Sequence, residues 1–400
     1  MALDLTRTAL QLDSMAVDIK EREVDRRARL QNALAALKSF DVEEYQSRRE
    51  THESALNYPI AAITSPPDAA YEPPPLPSDF SVASADGSHI DVDRHSLAQC
   101  YLINIGTVVL TYGSKPDARL QAQPKLYARD EDMVLRDEGN DRAEQVEGAV
   151  LGAKRAVEEV AALAEVVEGL PQDRPVVAMV DGSLAFIGLR RGVHQDLVFR
   201  SILEDGFVMA LRRMEAITGK VAVMGYISLP NSAEVVGALR LASCGLGVLE
   251  SKKCGGPESG RQACDACVGG VRDRDVFGAL LQPGQRSEVF GVSSDVVTQY
   301  YGDQSVRFFY LNAGSEIVRV EVPQWVAEDT DILGLVHTVT LDQCRRNTGY
   351  PAALMEAHEQ AVISGGDRRL FSEMLTDVLE GQGVAANLSE KDRSKRMRWL

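Results

Sequence analysis

The sequence predicts an α/β fold with a helical arm at its N-terminus. Three observations predict it. Apolar, strand-like runs alternate with amphipathic helical stretches from about residue 80 to residue 381. One of these runs, Val176-Val-Ala-Met-Val180, is apolar throughout, as a strand covered on both faces is. Residues 3–55, rich in Leu, Ala, Glu, Arg and Lys, show helical spacing alone.

Leu10, Leu12, Met15, Val17 and Ile19 begin the pattern, and Leu30, Leu34, Leu37 and Phe40 continue it, so one or two long helices fill an arm over residues 1–56. Pro59, Pro66, Pro67 and the cluster from Pro73 to Pro77 make residues 57–79 an extended linker, because proline does not continue a helix. The body, residues 80–385, opens with a strand from Phe80 into Asp86-Gly-Ser. Gln99 to Thr111 is apolar and β-branched, a buried strand. Lys125 to Ala128 is a second extended piece. From Asp141 to Glu168, Val150, Val157, Val160, Leu163 and Val167 share one helical face, and Pro171 and Pro175 end it.

The Val176–Asp181 strand follows, then a helix over 196–218 and a strand from Val221 to Ile227. Asn231 and Ser232 are good N-cap types for a helix carrying Val235, Val236, Leu239 and Leu241. Val306–Leu311 and Glu316–Val322 form a hairpin around Asn312-Ala-Gly-Ser, and clean alternation in the second strand predicts one polar, solvated face. Helices over 329–346, 351–363 and 367–381 close the body. Residues 386–400 form a basic tail with Lys391, Arg393, Lys395, Arg396 and Arg398.

Of the 400 residues, 44% are hydrophobic and 26% charged, which suits a large buried core. The net charge of −16 argues against a protein coated in basic surface, while leaving room for a local basic groove or an acidic metal site. No apolar run reaches membrane-spanning length and no signal-peptide pattern opens the chain, so a cytoplasmic location is expected.

Two strands deliver an aspartate through the same tripeptide, Asp86-Gly-Ser and Asp181-Gly-Ser. Asp-Gly is a common turn dipeptide, but a carboxylate at the end of a buried strand also asks for a partner. Glu158 and Glu159, on the helix before the second strand, offer a third oxygen. Three carboxylates at one point repel unless a hard dication such as Mg²⁺ or Mn²⁺ holds them. Tyr350 and His358 lie about two helical turns apart, so both can face one site, and an imidazole among carboxylates favours Mn²⁺. Cys264-x-x-Cys267, with Cys254 and Cys244, has the makings of a structural zinc site in an insertion over residues 244–270. Cys100 and Cys344 sit in apolar contexts and read as core.

Several motifs in order resemble the NurA nuclease family in its bacterial form. They are Asp86-Gly-Ser, Lys154-Arg155 followed by Glu159, Asp181-Gly-Ser-Leu, Gly225-Tyr-Ile-Ser-Leu-Pro, Asp273-Arg-Asp-Val-Phe, Gly284-Gln-Arg-Ser-Glu-Val-Phe, Phe308-Phe-Tyr-Leu-Asn, and Gly349-Tyr-Pro through Ala357-His358-Glu-Gln-Ala. The resemblance implies an RNase H-like mixed sheet flanked by helices. It implies a metal-dependent DNA nuclease, a 5'–3' exonuclease with endonuclease activity, acting in DNA end resection and double-strand break repair with the hexameric HerA ATPase. It implies that Asp86, Glu159, Asp181 and His358 bind the metal, with Tyr350 beside them. Where archaeal relatives place a lysine, this chain has Ser228 and Leu229, so Arg272, Arg274 and Arg286 are the candidates for a basic contact. A homodimer is expected, because a second copy is the simplest cover for the apolar stripe of the arm. The competing readings are a non-catalytic clamp or adaptor for the ATPase and a metal-dependent phosphatase on a similar fold.

Overall fold

The computed structural model describes residues 4–53, 56, 58–92, 99–136, 143–186, 195–244 and 268–383. In chain order its elements are α1 (Leu5–Lys38), α2 (Val42–His52), β1 (Ala61–Ala62), β2 (Ala70–Tyr71), β3 (Phe80–Ile90), β4 (Tyr101–Tyr112), β5 (Asp117–Tyr127), β6 (Val134–Arg136), β7 (Ala143–Gln145), α3 (Ala149–Glu168), β8 (Val176–Asp181), α4 (Gln195–Val198), α5 (Met209–Glu215), β9 (Val221–Ile227) and α6 (Glu234–Ala242). There follow α7 (Asp273–Leu280), β10 (Arg286–Ser287), β11 (Phe290–Val292), α8 (Asp295–Tyr300), β12 (Val306–Asn312), β13 (Ile317–Pro323), α9 (Gln324–Glu328), α10 (Thr330–Arg346), α11 (Ala352–Ala361) and α12 (Gly365–Gly381). A π-helical run, Phe199–Val208, joins α4 to α5.

The chain divides into two compact units that do not follow the segments read from the sequence. One gathers Pro74–Tyr226, Ser294–Val306 and Glu321–Leu400. Its sheet runs β5-β4-β3-β8-β9, with β3, β4 and β5 antiparallel and β3, β8 and β9 parallel. Three antiparallel strands continued by two parallel ones through α3 and the α4–α5 run make an RNase H-like mixed sheet. Val82, Ala83, Val177, Ala178, Met179, Ala222, Val223 and Met224 are fully buried at its centre, which is why β8 and β9 are apolar without alternation. α3 buries Leu151, Val160, Leu163 and Val167 on one stripe.

The other unit gathers Met1–Pro73, Ile227–Ser293 and Arg307–Val320. Its sheet runs β1-β11-β12-β13, with β10 bridging β12 and β2. The proline-rich stretch is therefore not only a linker: β1 and β2 pair with β11 and β10. The C-terminal half of α1 buries Ala33 and Leu37, and Arg26 and Arg29 bind the Asp275 carboxylate and the Gly269 carbonyl at 2.6 and 2.9 Å. Its N-terminal half leaves Leu5, Leu12, Met15 and Ile19 exposed.

Three expectations are corrected. Residues 143–145 are a strand, and α3 begins only at Ala149. Neither Asn231 nor Ser232 caps α6: the buried Asp273 carboxylate accepts from Val235 N at 3.2 Å and Val236 N at 2.8 Å, from outside the helix. The polar side of β13 is not solvated. Arg319 is buried in an ion pair with Glu234 and over the Phe308 ring, and Glu321 is buried with backbone donors. Alternation identifies residues that share a face; it does not say whether that face is covered.

Candidate active site

Asp86 is not at a strand end. β3 carries on through Asp86-Gly-Ser to Ile90, whereas β8 stops at Asp181, where Gly182 adopts φ +105°. The doubled tripeptide thus occupies two different local structures. Ala85 is paired with Val180 in the parallel register, so Asp86 and Asp181 are the next positions on neighbouring strands, about 4.8 Å apart across the sheet.

The serines of the two tripeptides anchor two further elements. Ser88 Oγ donates to Ala361 O at 2.5 Å, and Asn104 Nδ2 donates to Ala361 O and Gln360 O at 2.9 and 3.2 Å. These bonds dock α11 on β3 and β4. α11 in turn brings His358 Nδ1 to 2.8 Å from Asp86 Oδ2, with the imidazole largely exposed and the carboxylate largely covered. Ser183 Oγ donates to Glu321 Oε2 at 2.7 Å, and Leu184 N donates to the same oxygen at 2.8 Å. Tyr301 OH donates to Leu184 O at 2.7 Å and accepts from Phe186 N at 3.0 Å. The turn after Asp181 is clamped from below by these two buried side chains.

Tyr350 stands on the turn before α11. Its ring meets the Tyr226 ring edge-on at 5.3 Å, and Tyr226 is paired with Asp181 in the sheet. Its hydroxyl hydrogen-bonds the Asp181 carboxylate; burial first, and then that carboxylate, hold it far above its ordinary pKa. Asp181 reaches solvent, yet surrounding protein raises its carboxyl above the usual range, against the hydrogen bond from Tyr350.

Glu158 and Glu159 separate cleanly. Glu158 accepts from Tyr127 OH, beside Lys154, whose ammonium donates to Tyr101 OH at 2.8 Å. Glu159 is buried on the opposite side of that pair, at Gly87. A Cβ on Gly87 would stand 2.6 Å from Glu159 Oε1 and 3.0 Å from Arg155 Cγ, so only glycine lets this carboxylate come against the strand. Burial pushes its pKa up to about 8, Arg155 works against that, and Asp86 and Asp181 add to it.

Alternation puts the Asp86 side chain on the α11 side of β3 and the Glu159 contact on the α3 side. Accordingly, no three His, Cys, Asp or Glu side chains among the described residues converge on one ion in their present rotamers. The donor chemistry nevertheless fits a hard dication: three carboxylates raise one another electrostatically, an imidazole touches one of them, and Glu159 Oε1 is buried without a hydrogen bond.

Of the basic candidates, Arg286 is stacked on the rings of Tyr71 and Phe309, and Arg274 donates to Leu229 O at 2.9 Å; Arg272, Arg274 and Arg286 all belong to the first-described unit's counterpart, with α1. Cys100 and Cys344 are buried as expected, and so is Cys244. Cys254, Cys264, Cys267 and the basic tail lie outside the described residues. Sequence reasoning missed Gly87, Glu321 and Tyr301; the glycine inside Asp86-Gly-Ser was the one signal available.

A model of the NurA domain matches residues 80–363. Among solved structures, the chain is similar to LC9-RNase H1, a type 1 RNase H with the type 2 active-site motif, at 13% identity and a TM-score of 0.21, over 42% of this chain and 72% of that one. No curated protein matches.

Proposed function

The chain belongs to the NurA nuclease family, and from that premise we propose that it is a divalent-metal-dependent DNA nuclease using Asp86, Glu159, Asp181 and His358. The supporting observation is the side-by-side placement of Asp86 and Asp181, with His358 on the first and Tyr350 on the second. These four ligands would hold Mn²⁺, or Mg²⁺ in its place. A bound ion of this kind supplies an activated water and a charge that steadies the leaving oxygen of the phosphodiester.

The chain's own residues do the rest. Asp181 is fixed in direction by the Tyr350 hydroxyl and in position by the Glu321 clamp. His358 orients the Asp86 carboxylate from the exposed side. Glu159, drawn up against Gly87, contributes the carboxylate least reachable by water. No covalent protein nucleophile is needed. The finer reading is 5'–3' exonuclease action with endonuclease activity in DNA end resection, as a homodimer working with a HerA-type hexameric ATPase. A structural zinc on Cys244, Cys254, Cys264 and Cys267 belongs to the same proposal, and metal analysis of the purified chain tests it.

The experiment is incubation of the purified chain with end-labelled linear DNA, in Mn²⁺, in Mg²⁺ and in chelator. Metal-dependent shortening from the 5' end is the expected result. No cleavage in either metal favours the adaptor, and release of phosphate from monoesters alone favours the phosphatase.

A further inference from the structure

Strand β5 is the last strand of its sheet, and it is exposed on both faces from Asp117 to Leu126. Its two faces differ in chemistry. Ala122 is opposite Gly106, whose absent Cβ points at the backbone of α11, so the even residues lie on the α11 side. That row is Ala118, Leu120, Ala122, Pro124 and Leu126; Leu120 and Leu126 are 40% and 53% exposed. The other row carries Arg119 and Lys125. A long, open edge strand with an apolar face is a surface that proteins ordinarily cover.

The same compact unit holds the matching element. α12 has 17 residues and buries none of them. Its Phe371, Leu375 and Leu379 are half-buried, but Leu370, Met374 and Val378, four residues apart, form an exposed apolar stripe. Glu373, Asp377 and Glu380 run along one border of that stripe. A helix of this length is marginal on its own and takes its stability from the face that it packs. It is about 25 Å long, against about 36 Å for an 11-residue strand.

We propose that two copies of the chain form a two-fold dimer in which α12 of each lies along the apolar face of β5 in the other. A helix stripe covers a sheet face, and one closed exchange satisfies both unpartnered surfaces in both copies. The acidic border of α12 meets the strand that carries Arg119 and Lys125. This deepens the homodimer named above and does not depend on the nuclease chemistry, which DNA cleavage reads separately.

Sedimentation of the full chain tests it, with two double variants: Leu370→Glu with Met374→Glu, and Leu120→Glu with Leu126→Glu. All four positions are exposed, and circular dichroism checks that each variant is folded. The wild type is expected to be a dimer. Each variant is expected to dissociate, with dimer affinity reduced at least a hundredfold. An equimolar mixture of the two variants is expected to regain a heterodimer, because one intact α12 then meets one intact β5. A monomeric wild type, variants that stay dimeric, or a mixture that stays monomeric would each overturn the exchange.

Discussion

Arg155 and Glu159 lie one turn apart on α3, with Nε and Oε1 at 3.1 Å, and the two atoms are misaligned for a hydrogen bond. The guanidinium therefore offsets the buried carboxylate only in part, which is why burial still raises Glu159 to about 8. The folded chain binds this proton more tightly than the unfolded chain does. The stability it contributes is complete below about pH 4.5 and is lost as pH rises through about 8. In chelator, the wild type should lose melting temperature relative to Glu159→Gln between these limits, by an amount on the order of 4–5 kcal/mol. Parallel pH profiles for the two proteins would remove the argument.

Gly87→Ala puts a methyl group where Glu159 Oε1 and the stem of Arg155 now sit. The carboxylate must withdraw from the strand. The expected outcome is a stability loss of about 1–3 kcal/mol together with loss of Mn²⁺-dependent cleavage. Cleavage at the wild-type rate would show that Glu159 is not needed beside β3.

Asp181→Asn retains the shape of the β8 terminus and removes a ligand charge. Cleavage of end-labelled DNA should disappear while the melting temperature holds. Undiminished cleavage in Mn²⁺ rules out Asp181 as a metal ligand.

Tyr350→Phe keeps the edge-on contact with Tyr226 and deletes the hydroxyl at Asp181. A hydrogen bond to a charged group contributes about 1.5–3 kcal/mol, so kcat should fall about ten- to a hundredfold with little change in KM. A pure KM effect would instead place Tyr350 in substrate binding.

The two aspartates, the helix with His358 and the turn with Tyr350 were legible because each carries a local signal: an apolar run ending in a carboxylate, and a Gly-Tyr-Pro helix start. The choice between Glu158 and Glu159 was not. Adjacent residues on a helix point about 100° apart, and only the positions of Tyr127 and Gly87 decide which one turns toward the aspartates. Glu321 was misread as solvated for the same reason. Its partners, Ser183 and Leu184, lie 138 and 137 residues away, and no periodicity within β13 encodes them.

Asp273 offers a further measurement. It serves the first-turn amides of α6 and accepts from Tyr310 OH at 2.7 Å. Asp273→Ala should cost about 2–4 kcal/mol, the loss of a cap plus a buried hydroxyl without its acceptor, read as a fall in melting temperature. An unchanged melting temperature would mean that water replaces the carboxylate.

That cap also separates the helix from the length of chain between them. Val236 and Asp273 are 37 residues apart in sequence, and the cysteine-bearing stretch lies inside the loop they close. The entropic penalty of closing such a loop grows only with the logarithm of its length, about 0.6 kcal/mol for each doubling. Insertions or deletions of several residues within 245–267 should therefore leave the thermodynamics of α6 nearly untouched. The segment is free to vary in length, and to acquire or lose a metal-binding sequence, without a penalty in the helix that it spans.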